Sequence, residues 1–242
     1  MPDAHYELPR LARVYDAVEG ERPDLEVYAA LAEQLGAHRV LDVGCGTGTL
    51  ACLLARRGLE VVALDPAAAS IALARRKDGA DRVRFLLGDV SELPPVSADL
   101  ATMTGNVAQV FCSDEGWASA LAAIRGALVP GGHLVFETRE PRREAWLEWT
   151  AEASRVRREV PGEGAVEYSV EVTAVDGRLV SFRSTYRFES DGAVMTSDST
   201  ICFRSRPEVE ASLEAAGLDL VEVREAPDRP GREMVFLARR PA

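Results

Sequence analysis

Nine residues, Val40-Leu41-Asp42-Val43-Gly44-Cys45-Gly46-Thr47-Gly48, constrain this chain more than any others. An apolar run breaks into alternating glycines, and Thr49 to Arg57 follow with a helical pattern. The order is strand, tight turn, helix. Glycine has no Cβ, so three of them let the backbone turn sharply and approach a ligand to van der Waals distance. The helix behind them aims its free N–H groups and positive dipole end at whatever the turn holds, which suits a nucleotide-like ligand with an anionic end.

Strands and helices then alternate through Glu137, the pattern of a parallel, doubly wound α/β sheet. The second strand ends in Asp65-Pro66, the third in Gly88-Asp89-Val90, and the fourth in Thr104-Gly105-Asn106. A helix with Trp117, Ala120, Leu121, Ile124 and Leu128 on one face packs on the sheet, and Pro130-Gly131-Gly132 stops it. The fifth strand ends at Glu137 to Arg139. Ligands of such sheets bind at the carboxyl ends of the strands, so these residues should converge.

A dinucleotide fingerprint places its last glycine at the position of Thr49, whereas here Gly48 comes one residue early. That spacing resembles the first motif of class I S-adenosylmethionine-dependent methyltransferases. Asp65 does not discriminate, because dinucleotide enzymes keep an acid there too. Gly88-Asp89 and Pro130-Gly131-Gly132, in this order, also resemble that family, and the likeness covers residues 6 to 140 well and the last third in outline.

The resemblance implies a Rossmann-like sheet and S-adenosylmethionine as cofactor. It implies that Gly44, Cys45 and Gly46 approach the amino-acid part, with Asp42 beneath the turn, and that Asp65, followed by Pro66, accepts the ribose hydroxyls. Asp89 and the backbone of Val90 would read the adenine, Thr104 and Gly105 would touch the cofactor, and Tyr15 would cover it, unless Tyr15 is simply a helix anchor. Arg22 is a weaker candidate.

Composition sets outer limits. The chain has 242 residues and 47% hydrophobic content, ample for a core with an insertion. A net charge of −11 argues against a nucleic-acid groove, although Arg155, Arg157 and Arg158 are close enough for a local basic patch. Cys45, Cys52, Cys112 and Cys202 show no metal-ligand spacing and read as buried thiols in a reducing cytoplasm. Met1 to Arg10 does not read as a signal peptide, and no apolar run reaches membrane-spanning length.

Ahead of the first strand, Leu25, Tyr28, Ala29, Ala32 and Leu35 predict a helix. The core should comprise residues 1–140 and 205–242, with 141–204 an inserted helix and antiparallel sheet similar to insertions in sugar N-methyltransferases. Trp146 and Trp149 fall on the predicted helix and, with Arg139 and Asn106, are candidate acceptor contacts. Asp176-Gly177 and Asp191-Gly192 mark two hairpins. Three-residue loops ending on Gly177 and Gly192 would pair Val172 with Val180 and Phe188 with Val194.

That register puts Val166, Tyr168, Val170, Val172, Val180, Phe182, Tyr186 and Phe188 on one face, but leaves Met195 and Ile201 on the polar one. The apolar face should roof an acceptor pocket, pack on the core or form a homodimer. Ser205-Arg206-Pro207-Glu208 has capping-box spacing, and the chain closes with two strands joined by a turn over 227–231.

The expected activity is methyl transfer to N or O of a small molecule, without a metal. Glu137 is the candidate base, with Asn106 a second catalytic candidate; His5, His38 and His133 read as structural or exposed. A nicotinamide-dependent oxidoreductase and a non-catalytic S-adenosylmethionine-binding protein are the alternatives.

Overall fold

The computed structural model describes residues 2–226 and 228–242; Met1 and the Pro227 end of the expected 227–231 turn lie outside the described residues. Helices α1 (Ala4–Glu7), α2 (Pro9–Glu19) and α3 (Asp24–Gln34) precede β1 (Arg39–Val43). Then come α4 (Thr49–Arg56), β2 (Glu60–Asp65), α5 (Ala68–Ala74), β3 (Val83–Leu87), β4 (Ala98–Met103), α6 (Asp114–Ala127) and β5 (Leu128–Arg139). Strands β6 (Val156–Val160), β7 (Gly164–Asp176), β8 (Leu179–Phe188) and β9 (Val194–Cys202) follow, and α7 (Arg206–Ala215), β10 (Asp219–Glu225) and β11 (Glu233–Arg239) finish the chain.

Two sheets result among the described residues. The larger has the order β10-β11-β5-β4-β1-β2-β3, with β1 to β5 parallel and β11 antiparallel to both its neighbours. Its central strands are apolar on both faces because both are covered. Val40, Leu50, Leu54, Ile71 and Phe85 pack with α3, α4 and α5 on one side. Leu41, Trp117, Leu121, Ile124 and Phe136 pack with α6 and α7 on the other. Helix α6 ends at Ala127, so Leu128 and Pro130 to Gly132 already belong to β5 rather than to a helix stop.

The smaller sheet, β6-β7-β8-β9, is antiparallel and differs from the expected register at both hairpins. Asp176 pairs with Leu179 around a two-residue turn, Gly177-Arg178, and a bulge at Thr173 restores Val172 opposite Phe182. At the second hairpin Phe188 pairs with Ala193, which makes a four-residue loop ending on Gly192 at φ 71°. The extra residue changes the parity of β9. Met195 now lies opposite Tyr186 and Ile201 opposite Val180, both on the apolar face, while Asp198 faces outward and pairs with Arg183 at 2.6 Å.

That apolar face is covered from within the chain. Leu11, Val14 and Val18 of α2 pack on Val166, Tyr186 and Phe188. At its other end Trp146 and Trp149 pack on Phe203 and Phe182. The tryptophans sit on one 3₁₀ turn, Ala145–Glu148, and the residue after it, rather than on an α-helix, because Glu144 takes a left-handed conformation (φ 45°) before that turn. Strand β6 was hidden by its mixed charge. Arg157 pairs with Glu189 and Glu159, and Arg155 lies 3.9 Å from Glu167, so these arginines form ion pairs rather than a basic patch.

The capping box of α7 is present, with Ser205 N–H donating to Glu208 at 2.7 Å. Ser205→Ala should cost about 1 kcal/mol. For a chain of this size that is a fall of roughly 2–4 °C in melting temperature, readable by calorimetry; no fall would show that the cap contributes nothing.

Candidate functional site

The strand ends assemble around the glycine turn. Gly44 and Cys45 donate their N–H groups to Leu64 O at 2.8 and 3.0 Å, which folds the turn against β2. Gly46 N–H donates to Asp65 Oδ2 and Ala67 N–H to Asp65 Oδ1, each at 2.8 Å, so one carboxylate ties the turn to the start of α5. A side chain at Gly44 is excluded, since its Cβ would lie 2.6 Å from both methyls of Val107. At Gly46 the same construction meets no atom within 4 Å, which leaves open space.

Beneath the turn Asp42 Oδ1 accepts the Thr102 hydroxyl at 2.8 Å, whereas its other oxygen is buried without a partner. Burial pushes the Asp42 carboxyl up to about 7, with the Thr102 bond opposing and Asp65 adding. Asp65 is raised as well, by burial first, against its two backbone donors.

These residues line a cavity of about 780 Å³, within the size range of small-molecule sites. Asp42, Gly44, Cys45, Gly46, Asp65, Pro66, Asp89, Thr104 and Gly105 all contribute to its wall, and α2 closes it with Tyr15. Asp16, next to Tyr15, accepts the Thr47 hydroxyl at 2.5 Å and pairs with Lys77 at 2.7 Å, which fastens α2 to the glycine turn. Arg22 also lines the wall while bound through Nε and Nη2 to Asp24.

A sequence family described as a methyltransferase domain matches residues 40–132, the stretch that carries β1 to the first part of β5. Residues 40–132 thus carry a methyltransferase domain. Over 130 residues it is 32% identical to malonyl-[acyl-carrier protein] O-methyltransferase of Serratia marcescens, covering 53% of this chain and 49% of that one. Demethylmenaquinone methyltransferase of Thermus thermophilus is 38% identical over 109 residues, 43% of this chain and 49% of that one. The chain thus aligns over about half the length of these relatives.

Beyond the matched domain the likeness is of fold. The CcbJ methyltransferase from Streptomyces caelestis superposes with a TM-score of 0.79 at 20% identity, covering 98% of both chains. CalS10, an amino pentose methyltransferase from Micromonospora echinaspora, gives 0.69 at 24% identity, with 92% of this chain and 93% of that one covered. The small antiparallel sheet therefore belongs to a fold seen in solved methyltransferases.

The cofactor of this domain class is S-adenosylmethionine, and the wall fits it. A cationic amino group suits the unpartnered Asp42 oxygen, and open space stands at Gly46. Asp65 keeps a further lone pair on each oxygen for hydroxyl donors. Asp89, its Oδ1 taken by Ser91, keeps Oδ2. Val90 itself is buried in the core, which leaves only its backbone for recognition.

Besides Val90, five expected site residues do not reach the cavity wall. Glu137 is 4% exposed and accepts the Tyr28 hydroxyl, Gly105 N–H at 2.6 Å and Asn106 N–H at 3.3 Å. Burial raises its carboxyl, with Tyr28 opposing. The end of β5 is enclosed because β11 pairs along its full length and α3 lies against it. Glu137 therefore supports the loop at the end of β4 from behind.

Asn106, at φ 62°, points into the same buried network and donates to Glu233 at 3.2 Å. Arg139 donates to Gln109 at 2.8 Å and sits 5.3 Å from the Trp149 ring. Trp146 and Trp149 are spent on covering the small sheet. In their place the wall is completed by Asp3, Tyr6, Glu19, Thr47, Lys77, Val110, Phe111 and Thr200. Only Thr47, inside the glycine motif, carried a local signal.

Among the described residues, no group of three or more His, Cys, Asp or Glu is placed to hold a metal ion, and no helix is long and apolar enough to cross a membrane.

Proposed function

We propose that this chain is an S-adenosylmethionine-dependent methyltransferase acting on an N or O atom of a small molecule, without a metal. The observation that carries it is the unpartnered Asp42 oxygen at the base of a cavity whose wall joins the glycine turn, Asp65 and Asp89. The relatives' names support a small acceptor, since they include a menaquinone precursor enzyme and an amino pentose enzyme.

In this reading Asp42 with Gly44, Cys45 and Gly46 holds the amino-acid end of the cofactor, Asp65 and Pro66 the ribose, and Asp89 with the Val90 backbone the adenine. Arg22 Nη1, which lies 3.8 Å from where a Gly105 Cβ would stand, is the cation available to the carboxylate. The bound cofactor supplies a methyl group on a sulfonium, so that the acceptor lone pair forms its new bond as the carbon–sulfur bond breaks and its electron pair returns to sulfur. The protein's own part is to align and to exclude water: Tyr15 and α2 close the wall, and the Asp16–Lys77–Thr47 contacts keep them closed. Holding two reactants in line is worth roughly 7–11 kcal/mol.

Residues 1–140 and 205–242 form the catalytic core in this proposal, and 141–204 the cover. Binding of S-adenosylhomocysteine by calorimetry tests it, and no heat from folded, ligand-free protein would end it. Chelation with EDTA should leave turnover unchanged.

The pH dependence is specific. Asp42 sits at about 7 in the folded protein against 3.8 as the reference value. A cationic amino group binds the ionised form, so affinity should rise with pH through the folded value, by about tenfold between pH 6 and 8. The same raised value means that stability of the free protein, full below the reference value, falls as pH rises toward 7. Asp42→Asn should flatten both; an unchanged pH profile in that variant would remove Asp42 from the cofactor site.

A further inference from the structure

The cavity extends past the strand ends to a second region formed by α1, the end of α2 and the 107–111 segment. Its charge is not balanced. Arg22 is paired with Asp24, Lys77 with Asp16 and Arg56, at 4.0 Å, with Asp78, so each cation on the wall already has an acidic partner and Arg22 Nη1 is left for the cofactor's carboxylate. Glu19, by contrast, makes no side-chain hydrogen bond or ion pair among the described residues, although it lies on the wall. It is also the last residue of α2, where the helix carbonyls add further negative potential.

The aromatic setting agrees with the charge. The rings of Tyr6 and Tyr15, both on the wall, lie 5.3 Å apart and tilted by 58°. Burial first, and the nearby Glu19 charge with it, hold both phenols well above the usual range, so they stay neutral. A ring face beside a carboxylate is a site for a cation, through the ring quadrupole and the full charge together. Asp3 stands on the same wall, its carboxyl raised by burial. Phe111 and the half-exposed Val110 supply apolar surface at this end for the body of an acceptor.

We infer that this region binds the acceptor as a protonated amine, with the Glu19 carboxylate as its counter-charge and Tyr6 and Tyr15 as its walls. The inference rests on the methyltransferase reading and narrows the acceptor atom to nitrogen. The proton balance closes with water as the acceptor. The bound ammonium loses one proton to solvent at the exposed Glu19 end of the cavity, which frees the nitrogen lone pair for the methyl group. The methylated product leaves with one positive charge on nitrogen.

The test uses the full chain with two probes of similar shape, tetramethylammonium and tert-butanol, at constant chloride, followed by NMR of the probe. S-adenosylhomocysteine affinity is measured by calorimetry on the same samples. The cation should bind at least tenfold more tightly than the alcohol. Glu19→Gln should weaken the cation at least fivefold, and Tyr6→Leu at least threefold, while both keep S-adenosylhomocysteine affinity within twofold. Equal binding of the two probes, or a Glu19→Gln protein that holds the cation as tightly as the parent, overturns the inference. If S-adenosylhomocysteine still binds in that case, the cofactor reading stands and only the amine is lost. A parent protein that fails to bind S-adenosylhomocysteine brings down both.

Discussion

Gly48→Ala should destabilise the protein by about 2–5 kcal/mol. Gly48 has φ 77°, and a non-glycine residue there costs about 1–2 kcal/mol. The new Cβ would also stand 2.8 Å from Ala74 Cβ and 3.1 Å from the Phe85 ring, and forcing a methyl into a packed layer adds about 1–3 kcal/mol. Gly46→Ala is the informative partner. Its φ of 52° carries the backbone cost alone, because nothing lies within 4 Å of its Cβ. Gly46→Ala should therefore lose the smaller share of stability, yet lose cofactor affinity, since its methyl enters open space on the cavity wall. Urea unfolding of the two variants decides the matter, and equal losses would show that the packing contacts at Gly48 are not the cause.

Asp65→Ala should weaken S-adenosylhomocysteine by more than tenfold, about 1.4 kcal/mol, in calorimetry. It should also cost stability in the free protein, because Gly46 N–H and Ala67 N–H lose a charged acceptor and a bond of that kind is worth about 1.5–3 kcal/mol. The two effects separate in Asp65→Asn. One amide oxygen still serves a backbone donor, while the other position becomes a donor itself and no longer accepts a hydroxyl. Asp65→Asn should thus recover part of the stability and little of the affinity. Parent-like affinity in Asp65→Ala would remove the carboxylate from the ribose site.

Both predictions concern residues that a single local pattern exposes. Gly44, Gly46, Gly48 and Asp65 lie on one strand–turn–helix–strand unit, so chain order alone brings them together. Glu137 and Asn106 show the limit of the same reasoning. Each lies where a strand or strand-end loop should open toward a ligand, but β11 returns from the end of the chain to lie beside β5 and encloses them with Glu233. Their role becomes that of a buried support for Gly105, which does line the cavity. Nothing within residues 98–139 announces that enclosure.

The small sheet teaches a related lesson. Its apolar face was legible from alternation on β7 and β8, and Val166, Tyr186 and Phe188 are buried as that alternation requires. Turn length was not legible, because Asp-Gly is compatible with loops of two, three or four residues. One residue of difference at Gly192 moved Met195 and Ile201 to the other face. Arg157 of β6 and Arg155 just before it likewise found acidic partners, Glu189 and Glu167, from the neighbouring hairpin, where a linear reading groups them as a patch.

By itself, then, the sequence determined the doubly wound sheet, the glycine turn, the acids at the strand ends and the cofactor class, because each is encoded within a few consecutive residues or in the order of strands. Only the tertiary structure decided which side chains reach the cavity. Glu19, Tyr6, Lys77 and Phe111 arrive from separate segments, while Trp146, Trp149 and Arg139 are drawn away to Phe203, Phe182 and Gln109. The physical reason is that burial is a competition among all surfaces of the folded chain, and a residue's nearest partner in space has no fixed distance from it in sequence.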